Sequence, residues 1–330
     1  MTKTAIRLML AGSLAALAVA GCSKGEEEAA GAQAAADCDR DCLIDATRSY
    51  LGALADHDPS EAPLAPDVAF VENLQRLKIG EGMWQSATGG ATDFAITVPD
   101  PQLGQVGWIG MLEQNGEPVM MALRLKFQGD RIVEAEHIVT PPAQGRMENL
   151  QTVRPGLLAE IPADQRLPHD ELIRIGATYY DALDDNDGSK TPFAPECERH
   201  ENGMITAGAN AGPPPNWQPG QPRASSDCAK QLDSQTFVYI DRIENRRMIA
   251  ADPVTGLSMG FSHFRHPMTN LPYMVTNSDG STSERNRENL PNDPFDMPAA
   301  HIFKIGPDGK MYEIEAVGVT TAYNSPTGWE

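Results

Sequence analysis

One stretch of this chain occurs twice. Tyr50–Asn73, YLGALADHDPSEAPLAPDVAFVEN, returns at Tyr179–Asn202 as YYDALDDNDGSKTPFAPECERHEN, at a constant offset of 129 with no gap and 11 of 24 positions identical. The similarity resumes downstream with altered spacing. DPQLG from Asp100 matches DPVTG from Asp252, and LKFQGDRIVEAE from Leu125 matches FKIGPDGKMYEIE from Phe303. The chain is therefore two tandem copies of one module, and it is long enough for both to fold as domains.

Each copy runs in the same order. An amphipathic helix comes first, carried by Leu43, Ile44, Tyr50, Leu51 and Leu54 in one copy and by Leu172, Ile175, Tyr179, Tyr180 and Leu183 in the other. Asp- and Pro-containing turns end both helices, and a short strand follows at Val68–Glu72 or Cys197–Glu201. Longer strands close each copy: Gln105–Leu112, Pro118–Phe127 and Ile132–Thr140, then Ser258–Phe264, Ala300–Ile305 and Met311–Val319. The second copy inserts Gly208–Ser226 and Tyr273–Met297, rich in Pro, Gly, Asn and Ser and expected as surface loops.

A helix followed by a curved antiparallel sheet, closed by a strand that alternates apolar residues with Glu, resembles the nuclear-transport-factor-2-like superfamily, which includes ketosteroid isomerase and SnoaL-type cyclases. The Glu-Asn-Gly that follows Cys197 and Arg199, the DPxxG turn and the Arg-Leu-Lys of the penultimate strand are also similar to a secreted bacterial and fungal family. The resemblance covers nearly all of residues 38–145 and 168–325. It implies an α+β fold of two tandem cone-shaped modules, each with helices packed on a curved antiparallel sheet and a pocket between them. Such folds host enzymes and non-enzymes alike.

The first residues stand apart. Lys3 and Arg7 precede a short apolar run, LMLAGSLAALAV, which is too brief to span a bilayer and reads as a secretory signal over residues 1–21. VAGC, ending at Cys22, resembles the bacterial lipobox and implies cleavage before Cys22 and its acylation, palmitate included. The partner would then be a lipid bilayer, with the protein anchored in the cell envelope. Ser23 favours the outer membrane, facing periplasm or surface. Residues 22–36 read as the lipidated Cys and an acidic flexible tether. Residues 37–145 then form the first domain, 146–166 a linker and 167–330 the second.

The formal charge is −20. Loss of the leader removes two positive charges and no negative ones, so nucleic acid is excluded as a main partner. In an oxidising compartment the remaining cysteines can pair. Cys197–Cys228 would staple the first insertion, whereas Cys38–Cys42 brackets a helix start at a spacing that strains a bridge, and it stays open.

Alternate residues of a strand share a face, so Arg199 and Glu201 point one way and Glu198, His200 and Asn202 the other. Glu72 ends the equivalent apolar row after Phe70, where burial would favour its neutral form. Arg199 replaces Phe70 beside Glu201 and would hold that carboxylate ionised. The bland alternative is that Glu72, Asn73, Glu201 and Asn202 bond loop backbone at the strand ends. GFSHFRHP, Gly260–Pro267, adds His263 and Arg265 on one face and Phe264 and His266 on the other, while its counterpart GWIGMLEQ has no histidine. The expected site is therefore in the second copy. Glu201 or His263 would be the base and Arg199 an electrostatic clamp, with Tyr179, Asn202 and His266, and Glu72 and Asn73 in the first copy, as ligand-binding positions. Solvated histidines on an exposed strand are the competing account.

DNDGSKTPFAPE, Asp185–Glu196, is superficially like a calcium loop but carries Lys190 where that loop needs Gly. No metal site is expected. No GxGxxG, P-loop or HExxH is present, which argues against nucleotide enzymes and zinc peptidases. The expectation is a small-molecule-binding lipoprotein with no cofactor and, if an enzyme, isomerase, lyase or hydratase chemistry. Against it stands a non-catalytic envelope binding or assembly protein. Self-association is left open.

Overall fold

The computed structural model describes residues 38–143, 147–212 and 223–330. The leader, Cys22, the acidic tether and part of the first insertion lie outside these residues. Two long helices, α1 (Arg40–Ala55) and α2 (His169–Asp184), occupy equivalent places in the repeat. Asp39 caps α1 by accepting from the Cys42 amide at 3.0 Å, and Asp170 and Glu171 place negative charge in the first turn of α2.

The first sheet contains β1 (Leu64–Glu72), β2 (Gln75–Leu77), β3 (Ala87–Gly89), β4 (Ala95–Asp100), β5 (Gln105–Gln114), β6 (Glu117–Gln128) and β7 (Arg131–Thr140), ordered β2-β1-β7-β6-β5-β3 with β4 also on β5. In the second module β8 (Phe193–Glu201), β9 (Met204–Ala207), β10 (Arg242–Asp252) and β11 (Leu257–His266) come first. A hairpin of β12 (Tyr273–Thr276) and β13 (Thr282–Arg285) follows, then β14 (Phe295–Ile305), β15 (Met311–Gly318) and β16 (Thr321–Ala322). Its order, β10-β11-β14-β15-β8-β9, follows β4-β5-β6-β7-β1-β2 of the first sheet; β3 has no counterpart in it, and β16, which pairs with β14, has none in the first sheet. The α+β expectation of helix-on-sheet modules holds. One pair in each sheet, β1 with β7 and β8 with β15, is parallel rather than antiparallel.

Three apolar clusters fill the protein. One lies inside the first module, where Leu43, Tyr50 and Leu54 of α1 meet Trp108, Leu123 and Leu125 of the sheet. A second lies inside the other module, where Leu172, Ile175 and Leu183 of α2 meet Phe303 and Ile314. The third joins the outer faces of the two sheets, with Ile96, Ile109 and Ile138 against Ile249, Met259 and Phe261. β11 is covered on both faces: all ten of its residues are buried, although Ser262, His263, Arg265 and His266 break its apolar run. Gly107 of β5 sits in this seam, where a Cβ would come within 2.2 Å of Met259. Leu150, Val153 and Leu157, between the modules in sequence, enter the same seam. Arg247 adds a two-pronged bond to Glu136 of the other module, at 2.8 and 2.7 Å.

Several elements differ from expectation. β4 and β10 are full strands, and the second insertion contains the β12–β13 hairpin and ends where β14 begins at Phe295. β10 reads RIENRRMIAAD, and register shifts between Glu244 and Arg247 and again between Met248 and Ala250 break its alternation. Cys197–Cys228 is a disulfide, and so is Cys38–Cys42.

Candidate functional site

Strand pairing sets the equivalence between modules residue by residue. Glu72 lies opposite His137, His137 opposite Leu123 and Val139 opposite Met121. In the second module Glu201 lies opposite Ala316, Ala316 opposite His301 and Gly318 opposite Ala299. Three bulky positions, Met121, His137 and Val139, thus correspond to Ala299, Ala316 and Gly318. By the same pairing Trp108, not Gly107, corresponds to Gly260, so the expected alignment of GWIGMLEQ with GFSHFRHP slips by one residue.

The consequence is a plugged module and a hollow one. In the first, Tyr50 packs edge-on against Trp84 at 5.1 Å and His137 at 5.8 Å, and Phe70 meets His137 at 4.8 Å. Glu72 accepts from the Met83 amide and lies 3.0 Å from His137 Nδ1, while His137 Nε2 lies 2.9 Å from the Tyr50 hydroxyl. Glu72 is therefore bound into the packing. In the second module, Ala299, Ala316 and Gly318 leave a cavity of ≈ 80 Å³ under α2, which shares Arg199, Glu201, Phe237 and Tyr239 with an outer groove of ≈ 440 Å³.

Arg199 projects from β8 into this hollow and is 7 % exposed. Its Nε donates to Thr206 Oγ1 at 2.7 Å, its Nη1 donates to the Tyr179 hydroxyl at 3.2 Å, and the guanidinium lies 5.1 Å over the Phe237 ring. The expected ion pair with Glu201 does not form, and no carboxylate among the described residues lies within 4.0 Å of Arg199. Burial opposes its charge, but Tyr179 and Glu201 outweigh that and raise its pKa, so it stays a cation. Tyr179 is held protonated because burial raises its pKa more than Arg199 lowers it.

Two histidines face the cavity. Burial, reinforced by the Arg199 charge, pushes His301 down to about 3, and burial pushes His266 down to about 4. Both rings are neutral at physiological pH. His266 stacks on Phe295 at 4.1 Å and on Tyr239 at 5.5 Å, giving the hollow a flat aromatic wall.

His263 is not brought to this site. It alternates with Phe264 and so points through the opposite face of β11, where its Nε2 stands 3.5 Å from buried Asp296 beside Arg265. The two asparagines are also outside the hollow. Asn73 (φ 48°) and Asn202 (φ 50°) adopt the left-handed conformation and clamp the backbone N–H and C=O of Val139 and Gly318 respectively, at 2.8–3.0 Å. Their role is the bland one, closing a strand end. The structure thus joins Tyr179, Arg199, Glu201 and His266, and adds His301, Phe237 and Tyr239. His301 gave one signal, a histidine in an otherwise apolar AAHIF run. Phe237 and Tyr239 lie in a connection with no pattern to mark them. Among the described residues no group of three or more His, Cys, Asp or Glu is placed to hold a metal ion.

Fold and site define an α+β protein of two helix-on-sheet modules, the second with a small cavity where the first carries bulkier side chains. A family model described as a domain of unknown function (DUF8021) matches residues 165–318, the hollow module. No curated protein matches the chain. Among solved structures, a candidate polyketide cyclase from Silicibacter sp. is similar at 13 % identity, with 47 % of this chain and 92 % of that one covered and a TM-score of 0.29. An NTF2-like protein from Burkholderia thailandensis is similar at 16 % identity, covering 46 % and 92 %, with a TM-score of 0.25. A protein of ketosteroid isomerase-like fold from Catenulispora acidiphila, in complex with trimethylamine, is similar at 14 % identity, covering 28 % and 82 %, with a TM-score of 0.23.

Proposed function

We propose that the second module binds a small organic anion, with its anionic group on Arg199 and Tyr179 and its body against the wall of His266, Phe295 and Tyr239. One observation carries this reading: a buried guanidinium, without a carboxylate partner among the described residues, faces a cavity where the sister module carries Met121, His137 and Val139. Tyr179 and Glu201 keep Arg199 charged but give it no direct ion pair, and a ligand carboxylate or enolate would supply one through charge-assisted bonds. Neutral His266 and His301 add acceptors without adding charge. Acylation at Cys22 would hold this binding module at the envelope through the acidic tether.

Glu201, half-buried where cavity and groove meet, is the carboxylate placed to exchange a proton with a bound ligand. Cofactor-free isomerase, lyase or hydratase chemistry is the catalytic form of this proposal. A carrier or assembly lipoprotein is the non-catalytic form. The test is calorimetric titration of the purified protein with aromatic and aliphatic carboxylates. Binding should vanish in Arg199→Met and in Gly318→Val, which refills the hollow. Carboxylates that bind both variants as well as the parent would refute the site. Glu201→Gln then separates the two forms, since a carrier keeps its affinity and an enzyme loses turnover.

A further inference from the structure

The chain carries far more carboxylates than cations, and its arginines are mostly taken by them: Arg40, Arg124, Arg154, Arg246, Arg247 and Arg265 each meet an Asp or Glu within 3 Å. The outer groove departs from this pattern. Arg223 and Arg285 line it together with Arg199, and among the described residues the acids that line it are Glu148 and Glu201. Neither Arg199 nor Arg285 has a carboxylate within 4.0 Å among the described residues. Arg285 ends the β12–β13 hairpin, opposite Tyr273, and its charge lowers the pKa of both Tyr239 and Tyr273 against the larger upward pull of burial. The Arg223 carbonyl accepts from the Ser278 amide in the turn of that hairpin at 2.8 Å, and Arg285 stands at the hairpin's other end, so the two arginines line the groove from opposite ends of the hairpin. Phe237 and Tyr239 run from this groove to the inner cavity and line both spaces.

We infer that the ligand is a dianion, seated by one anionic group on Arg199 at the floor and by a second oxyanion, carboxylate or phosphate, on Arg285 in the outer groove. The inference rests on the proposed inner site and adds the class of molecule it takes. A guanidinium presents paired donors that match either oxyanion. The groove of ≈ 440 Å³ joins the inner cavity through Phe237 and Tyr239, which offer an extended chain an apolar track. The insertion that sequence patterning marks as surface loop thus becomes the part of the protein that measures ligand length and charge.

The experiment titrates the full-length protein with a series of straight-chain monocarboxylates and with the ω-carboxylate and ω-phosphate acids of the same lengths. At one length, one or both dianions should bind at least tenfold more tightly than the monoanion. Arg285→Gln should erase that gain and leave the monoanion affinity within twofold of the parent. The gain should also shrink between low and high salt, because the groove is open to solvent. Equal affinity of mono- and dianions at every length overturns the inference and spares the inner site. Equal losses for both ligands in Arg285→Gln also overturn it. Absence of binding by every monoanion and dianion overturns the inner site as well.

Discussion

Arg40 of the first module donates to the buried carboxylate of Asp252 in the second, at 2.9–3.3 Å. The repeat offset of 129 carries Arg40 onto His169, and the DPxxG match carries Asp252 onto Asp100. His169 Nε2 indeed lies 2.7 Å from Asp100 Oδ2. Each module's helix start therefore holds the other module's turn, a reciprocal contact of the kind that joins two-fold dimers. The two modules thus meet through a matched pair of polar contacts within one chain.

Arg40→Ala should destabilise the whole chain by about 2 kcal/mol, because it leaves the Asp252 carboxylate buried with fewer donors. Urea unfolding at pH 7 measures this. A loss confined to the first module, seen as two separate transitions, would contradict the shared seam.

The mirror pair is pH-dependent. Burial pulls His169 down, but its bonds to Asp170 and Asp100 outweigh this and raise its pKa above the usual value. The folded state then holds a proton that the unfolded state releases first, so the contribution is full below pH 6.5 and is lost as pH rises through the raised folded pKa. Melting temperature should fall from pH 6 towards pH 8–9, and His169→Gln should flatten that slope. An unchanged slope in the variant would remove His169 as its source.

Refilling the hollow should stabilise or leave unchanged what ligand binding uses. Ala316→His and Gly318→Val restore the sister module's side chains and should alter stability by no more than about 1–2 kcal/mol while abolishing anion binding. The converse change, His137→Ala, empties a packed site and should cost about 2–4 kcal/mol. Denaturant midpoints with parallel titrations distinguish the two directions.

Cys197 lies two residues before Arg199, and its bridge to Cys228 closes a separation of 31 residues. Replacing both by serine should cost about 3–4 kcal/mol on the chain-entropy account. It should also weaken anion binding, since it loosens the strand that aims the guanidinium. A stability loss with unchanged affinity would show that β8 is held by its neighbours alone.

Much of this protein was legible in its residues. The ungapped repeat yielded two modules and the element order, and the alternation in CERHE put Arg199 and Glu201 on one face. Loop composition paired Cys197 with Cys228. What patterning missed had physical causes. β10 is interrupted by bulges and crowded with arginines that serve other elements, so it carries no period-two signal. His263 and Glu201 end up apart because alternation separates the two faces of β11 without saying which one turns inward.

The sequence by itself determined the duplication, the local elements and the partition of each strand into two faces, because these follow from chain-local periods. Only the tertiary structure decided which module is hollow. That outcome depends on register: Ala299, Ala316 and Gly318 come from two strands and become one wall only when hydrogen bonding sets them side by side beneath Arg199. A difference of a few side-chain volumes, invisible along the chain, separates a packed core from a binding site.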